Sequence, residues 1–160
     1  MGKSSLLNKL FNRKSLARVS SVPGKTITIN FYTVGDVKFV DLPGYGYAKV
    51  SFSEKERWSK MLEGYFNSDR NIKFVVQLVD MRHKVTEDDL DMMRFLTHYG
   101  YPFAVIMTKS DKLNKTQYQT RMSEIGEELK AFKDVPIIPF SSLKGEGVEQ
   151  LKEIIEQSMD

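Results

Sequence analysis

The sequence predicts an α/β fold in three layers: helices on both faces of a mostly parallel sheet that carries one antiparallel edge strand. Three observations predict it. Apolar runs rich in β-branched residues alternate with segments whose apolar residues recur at helical spacing. Two of the runs, residues 72–80 and 103–107, are almost continuously apolar, as strands covered on both faces are. Strand–helix alternation in turn implies right-handed crossovers and parallel pairing.

Composition narrows the class. The 160 residues suit a single domain with a proper core, and 41% hydrophobic content separates the chain from disordered sequences. No apolar run approaches the roughly 20 residues that span a bilayer, so no membrane association is expected. The given residues do not open on a charged-then-apolar segment, so secretion is not expected. Cys is absent, which fits a reducing compartment and a cytoplasmic location. The formal charge of +3 is compatible with a solvated surface or with an anionic partner, nucleotide or RNA.

The chain opens on Met1-Gly2-Lys3-Ser4-Ser5, followed by Leu6, Leu7, Leu10 and Phe11 at helical spacing. This is the second half of a phosphate loop, G-x-x-x-x-G-K-[ST], entering its helix. Lys3 would reach the β/γ-phosphates, the Ser4 hydroxyl would coordinate Mg²⁺, and the first amides of the helix would receive phosphate oxygens. Taken alone, Gly-Lys-Ser-Ser could equally be a helix cap. Residues 12–28 are polar and without apolar periodicity, and Pro23-Gly24 is a turn signal, so a mobile loop is expected there. A long loop beside a phosphate site is a switch candidate. Thr26 is the first choice for a second hydroxyl on the metal and Thr28 the second.

Residues 27–34 read as a strand, Gly35-Asp36 as a tight turn, and Lys38-Phe39-Val40-Asp41 as the returning strand of an antiparallel hairpin. Asp41 sits where this strand leaves the sheet, the usual place for a ligand-binding residue in an open α/β sheet. Its carboxylate can hold a hydrated Mg²⁺. The amide of Gly44, which has no Cβ, can approach a terminal phosphate.

Beyond residue 50, Ser53 and Glu56 form a capping box for a helix with Trp58, Met61, Leu62, Tyr65 and Phe66 on its apolar stripe. Residues 72–80 form the first doubly buried strand. Thr86 caps a helix carrying Leu90, Met93, Phe95, Leu96 and Tyr99, which ends at Gly100. Residues 103–107 form the next strand and run into Thr108-Lys109-Ser110-Asp111. Residues 115–132 are helical, 137–140 a short strand, and Ser141-Ser142-Leu143-Lys144-Gly145 follows. Val148, Leu151, Ile154 and Ile155 mark the closing helix.

Four loops therefore stand beside strands: Gly-Lys-Ser-Ser, Asp-Leu-Pro-Gly, Thr-Lys-Ser-Asp and Ser-Ser-Leu-Lys. Asp111 can accept two hydrogen bonds from guanine, whose ring N–H and exocyclic amine adenine does not match. The Lys109 stem can lie along the base, and the backbone of Ser141 and Ser142 can reach the guanine oxygen. Singly, each has a plain alternative as cap or loop. Their order makes the combination specific for GTP or GDP.

This order resembles the small GTPases of Ras-like P-loop fold. Val22-Pro23-Gly24-Lys25-Thr26, Ile29-Asn30-Phe31-Tyr32, Val40 through Val50 and Asp80-Met81-Arg82-His83 further resemble the bacterial EngB (YihA/YsxC) family, over the whole chain. The resemblance implies one GTP-binding domain over 1–160 with slow GTP hydrolysis, acting as a switch in large ribosomal subunit assembly and needed for cell division and septation. Implied partners are GTP or GDP and the large ribosomal subunit or its precursor, with a monomer as the working form.

By position, the resemblance puts nucleotide contacts on Gly2, Lys3, Ser4 and Ser5. It continues them over Gly24, Lys25, Thr26, Ile27 and Thr28, then Asp41, Leu42, Pro43 and Gly44. The base side falls on Thr108, Lys109, Ser110, Asp111, Phe140, Ser141 and Ser142. Lys3, Thr26 and Gly44 are the expected catalytic groups, and Ser4 and Thr26 the expected metal ligands. The family carries a strand and half a phosphate loop upstream of Met1, so an N-terminally incomplete chain is expected. Tyr45 stands where Ras-like proteins carry a water-orienting Gln. Slow intrinsic hydrolysis follows, with help from a partner or from K⁺; a binding module without turnover is the rival reading. Arg82, His83 and Lys84, with Lys14 and Arg18, could form a face toward rRNA or an ordinary surface. Glu87, Asp88, Asp89 and Asp91 lie at a helix start and read as solvated. No role is expected for His83 or His98.

Overall fold

A computed structural model describes residues 6, 8–10, 20–24, 27–34, 37–41, 56, 60, 63–66 and 72–159. The chain divides into two units, residues 14–71 and residues 1–13 with 72–160.

In the first unit, β1 (Ser20–Gly24), β2 (Ile27–Val34) and β3 (Val37–Asp41) form an antiparallel sheet in that order. The register pairs Val34 with Val37 at the turn and Asn30 with Asp41 at the far end. The expected hairpin is present, but the expected loop over residues 12–28 is partly wrong: Ser20–Gly24 is a strand, paired Val22 to Ile29 and Pro23 to Thr28. Pro-Gly misled because Pro lacks only a donor, and on the outer strand of a sheet that donor can be absent. Ser53, Trp58, Met61 and Leu62 lie outside the described residues. Residues 63–66 are helical, with Phe66 buried and its ring 5.9 Å from that of Tyr65, edge to face.

The second unit holds the parallel sheet β4 (Val75–Asp80), β5 (Phe103–Thr108) and β6 (Ile137–Pro139), in order β4-β5-β6. Register runs Val75 to Phe103 through Asp80 to Thr108, and Val105 to Ile137. Between the strands lie α1 (Glu87–His98) and α2 (Lys115–Glu128), and α3 (Val148–Ser158) closes the chain. Central strand β5 is buried at all six positions, as expected. Strand β4 is not: its burial alternates, and residues 72–74 precede the strand. Among the described strands β4 has one neighbour where β5 has two, which explains the difference.

Period-two alternation sends successive side chains to opposite faces. On one face Ala104, Ile106, Ile138 and Phe140 pack with the helical residues Leu6 and Leu10 and with Val148 and Leu151 of α3. On the other, the Gln77 amide donates to the Asp89 carbonyl of α1 at 2.9 Å. Removing a side chain such as Ile106 would lose about 2–5 kcal/mol of transfer and packing energy.

Caps set the helix limits. The Thr86 hydroxyl accepts from the Asp89 amide, and the Asp89 carboxylate accepts from the Thr86 amide, a reciprocal box. The expectation of a solvated Asp89 is thereby corrected: the residue is buried as a cap. Asn114 and Gln117 build the same box for α2. That helix stops at Glu128, short of residue 132, and Lys130–Phe132 form a 3₁₀ turn instead. Tyr99, expected on the helix, is 57% exposed as the C-cap of α1.

Candidate base-recognition site

The carboxyl ends of β5 and β6 place two loops side by side. After Thr108 the chain turns abruptly: Lys109 adopts φ 63° and ψ 34°, the left-handed region that side chains other than Gly seldom enter. Such a backbone persists only where its surroundings fix it, and strain of this kind gathers at functional sites. Three contacts supply the fixing. The Ser110 amide donates to the Phe140 carbonyl at 3.1 Å, the Lys112 amide closes back on Lys109 at 3.0 Å, and the Lys109 ammonium lies 3.4 Å from Asp80 Oδ2.

Asp111 and Ser141 come together. Ser141 Oγ donates to Asp111 Oδ1 at 2.8 Å and itself accepts from the Lys144 amide at 3.0 Å. Ser141 is 1% exposed, so the carboxylate is held by a buried hydroxyl. Its amide, however, donates to the Glu146 carbonyl at 3.0 Å. This expected donor to a base oxygen is thus engaged within its own loop.

Other expected base contacts are turned inward. Thr108 Oγ1 donates to the Val79 carbonyl at 3.3 Å, Phe140 belongs to the core, and Ser110 is 3% exposed with its hydroxyl donating to Glu146 Oε1 at 2.5 Å. Within the antiparallel unit, the Gly24 and Ile27 backbones pair, Thr28 faces Pro23, and Asp41 closes β3 opposite Asn30. Gly2, Lys3, Ser4, Ser5, Lys25, Thr26, Leu42, Pro43, Gly44 and Tyr45 lie outside the described residues.

Asp80, Arg121, Tyr118 and Glu146, for which no role of their own is expected from the sequence, hold the loops. Asp80 ends β4 as Asp41 ends β3. Arg82 grips it twice, Nε to Oδ1 at 3.0 Å and Nη2 to Oδ2 at 2.8 Å. Burial pushes the Asp80 carboxyl up, but the Arg82 hydrogen bonds and charge outweigh it, with Lys109 adding, and hold it near a pKa of about 2. Arg82 is therefore not a free cation. Arg121 reaches from α2 to the Met81 carbonyl at 2.7 Å and the His83 carbonyl at 2.8 Å, and pairs with Glu124 and Glu128, both at 2.9 Å. Tyr118, one turn earlier, donates to Glu146 Oε2 at 2.9 Å. Its hydroxyl pKa is pushed up to about 12, by burial first and then by the Glu146 carboxylate. A strand-ending Asp was the one available signal among these; a Tyr, an Arg or a Glu in polar stretches carries none.

Metal chemistry can be judged from donor types. Among the described residues no three His, Cys, Asp or Glu gather as a cage. The Ser and Thr hydroxyls and the Asp41 carboxylate are hard oxygen donors, which suit Mg²⁺ completed by phosphate and water. Among the described residues no helix is long and apolar enough to cross a membrane.

A family model described as "50S ribosome-binding GTPase" matches residues 1–109. A probable GTP-binding protein EngB of Alkaliphilus oremlandii is 51% identical over 158 residues, covering 98% of this chain and 76% of the relative. Its counterpart in Clostridioides difficile is 48% identical over 159 residues, covering 98% and 78%. Among solved structures, a probable GTP-binding protein engB superposes with TM-score 0.75 at 25% identity, covering 98% of this chain and 92% of the other. A variant of Aquifex aeolicus Era bound to GDP.AlF4- shares the fold at TM-score 0.65 and 20% identity, covering 98% and 52%. The fold is that of the P-loop GTPases.

Proposed function

The chain belongs to the EngB family of GTP-binding proteins and is a GTP-hydrolysing enzyme, and from that premise we propose that it is a slow switch in large ribosomal subunit assembly, needed for normal division and septation. The reading is supported by the "50S ribosome-binding GTPase" description of the matching family model. It acts in the cytoplasm as a monomer, with the large subunit or its precursor as partner.

The observation that carries the nucleotide side is the Asp111 carboxylate, aimed by a buried Ser141 hydroxyl beside the strained Lys109. Asp111 accepts from the ring N–H and amine of guanine, the Lys109 stem flanks the base, and the Ser142 backbone serves the base oxygen. Thr108, Ser110 and Phe140 shape this pocket from behind. Gly2, Lys3, Ser4 and Ser5 hold the phosphates, and Gly24 through Thr28 form the switch. Asp41, Leu42, Pro43 and Gly44 close on the terminal phosphate. Ser4 and Thr26 would hold Mg²⁺, which when bound would neutralise charge on the phosphates. Lys3, Thr26 and the Gly44 amide stabilise charge during hydrolysis. With Tyr45 in place of a water-orienting Gln, intrinsic turnover is slow, and K⁺ or the ribosomal partner raises it.

The test is GTP hydrolysis by protein prepared at its relatives' length, with and without large-subunit particles and K⁺. Stimulation by the particles is expected. Unchanged turnover with particles present would defeat the ribosomal part of the reading.

A further inference from the structure

Glu146 occupies a place that neither the motif pattern nor the core explains. It lies between Gly145 and Gly147, both at φ 81°. Gly147 is pressed so close to β6 that a Cβ would stand 2.4 Å from the Pro139 carbonyl oxygen, so this exit from the strand leaves no room for a side chain at 147. That exit carries Glu146 over the junction of the two base loops. Its three acceptors then meet three donors from three elements. Oε1 takes the Ser110 hydroxyl from the loop after β5, Oε2 takes the Tyr118 hydroxyl from α2, and the backbone carbonyl takes the Ser141 amide.

We propose that Glu146 is a positioning residue for base selection: by tying Ser110 to Ser141 it fixes the spacing between Asp111 and Ser141. The inference rests on the base-site reading above. Asp111 follows Ser110 directly, and the Ser141 hydroxyl that aims its carboxylate belongs to the residue whose amide Glu146 holds. A loop free to shift by a few tenths of an ångström could keep one hydrogen bond to a purine but not a matched pair. Guanine offers two donors, ring N–H and amine, where hypoxanthine offers the first alone. Loosening the strut should therefore weaken GDP more than inosine diphosphate.

The experiment measures dissociation constants for GDP and inosine diphosphate by calorimetry, with melting temperature alongside, on protein of the relatives' length. The variants are Glu146→Ala, Glu146→Gln, Tyr118→Phe and, as a control on the pocket, Asp111→Asn. One lost charge-assisted hydrogen bond corresponds to about tenfold, so Glu146→Ala should lower the preference for GDP over inosine diphosphate about tenfold. Glu146→Gln keeps one carbonyl acceptor and should retain most of it, and Tyr118→Phe should lower it about twofold to threefold. Equal weakening of both nucleotides by Glu146→Ala and Tyr118→Phe, with a lower melting temperature, would mean a merely structural role and overturn the proposal. Should Glu146→Ala fail to fold, Glu146→Gln and Tyr118→Phe decide: an unchanged ratio in Tyr118→Phe overturns it and a lowered one supports it. If Asp111→Asn leaves base preference unaltered, the pocket itself is misread and the proposal falls with it. A shift in Asp111→Asn with none in the Glu146 variants sinks the strut alone.

Discussion

Helix α2 holds two polar clamps one turn apart, Arg121 and Tyr118, and they differ in what surrounds them. Arg121 has a side chain 9% exposed, and donates to two backbone carbonyls and two carboxylates. Burial works against its charge, but the Glu128 and Glu124 hydrogen bonds outweigh that and raise its pKa. Glu128 shows the mirror image: burial pushes its carboxyl up, and the Arg121 guanidinium more than offsets this and holds it below the usual range. Tyr118, by contrast, gives a single bond to a carboxylate on the exposed residue Glu146. A buried charge must be matched or the fold suffers; a half-exposed pair can exchange with water, so its loss alters geometry more than stability. The first clamp thus belongs to the fold and the second to the site.

The largest expected effect tests the first clamp. Arg121→Ala strands the Met81 and His83 carbonyls and leaves Glu128 without its cation, and should destabilise by about 3–5 kcal/mol in urea unfolding. A loss under about 1 kcal/mol would mean that water replaces the guanidinium and that the contrast is false. Next in size, Asp111→Asn should shift preference from guanine to xanthine diphosphate by about a hundredfold, because the amide offers a donor where guanine needs an acceptor. Its melting temperature should barely move, which sharpens the division between site and fold.

Acid stability comes third. Asp80 has a folded pKa of about 2, below its ordinary value, so its contribution is full above about pH 4 and is lost as pH falls toward about 2. Glu128 shifts the same way. Discounted for solvent screening, the Asp80 share is about 1 kcal/mol, and Asp80→Asn should flatten the acid limb of a stability–pH curve by that amount. An unaltered limb would show that the Asp80 pairs with Arg82 and Lys109 do not persist in solution. The smallest effect belongs to Tyr118→Phe, about 0.5 kcal/mol or less in unfolding. A loss near that of Arg121→Ala would erase the distinction between the clamps.

Much of this was legible beforehand, for identifiable reasons. The Thr86 cap, the buried strand from Phe103 and the closing helix at Val148 are each set by neighbours a few residues away. Such local patterns survive in a linear reading. Ser20–Gly24 was missed because a strand with Pro and Gly is stabilised by its partner, Ile27–Phe31, rather than by its own composition. The burial of Asp89 is hidden in the sequence for a similar reason, since its role as a cap partner depends on the orientation of Thr86.

The sequence by itself determined the α/β class and the strand-end motifs, and it raised the expectation of a guanine-type pocket, because phosphate and base recognition need particular residues at fixed short spacings. Only the tertiary structure decided how those loops are held. Asp80 meets Lys109 across β4 and β5, Arg121 reaches back 40 residues to Met81, and Glu146 joins Ser110 to Ser141. These contacts link segments far apart in the chain, where side-chain reach and burial exist only once the sheet has formed, and no spacing rule encodes them.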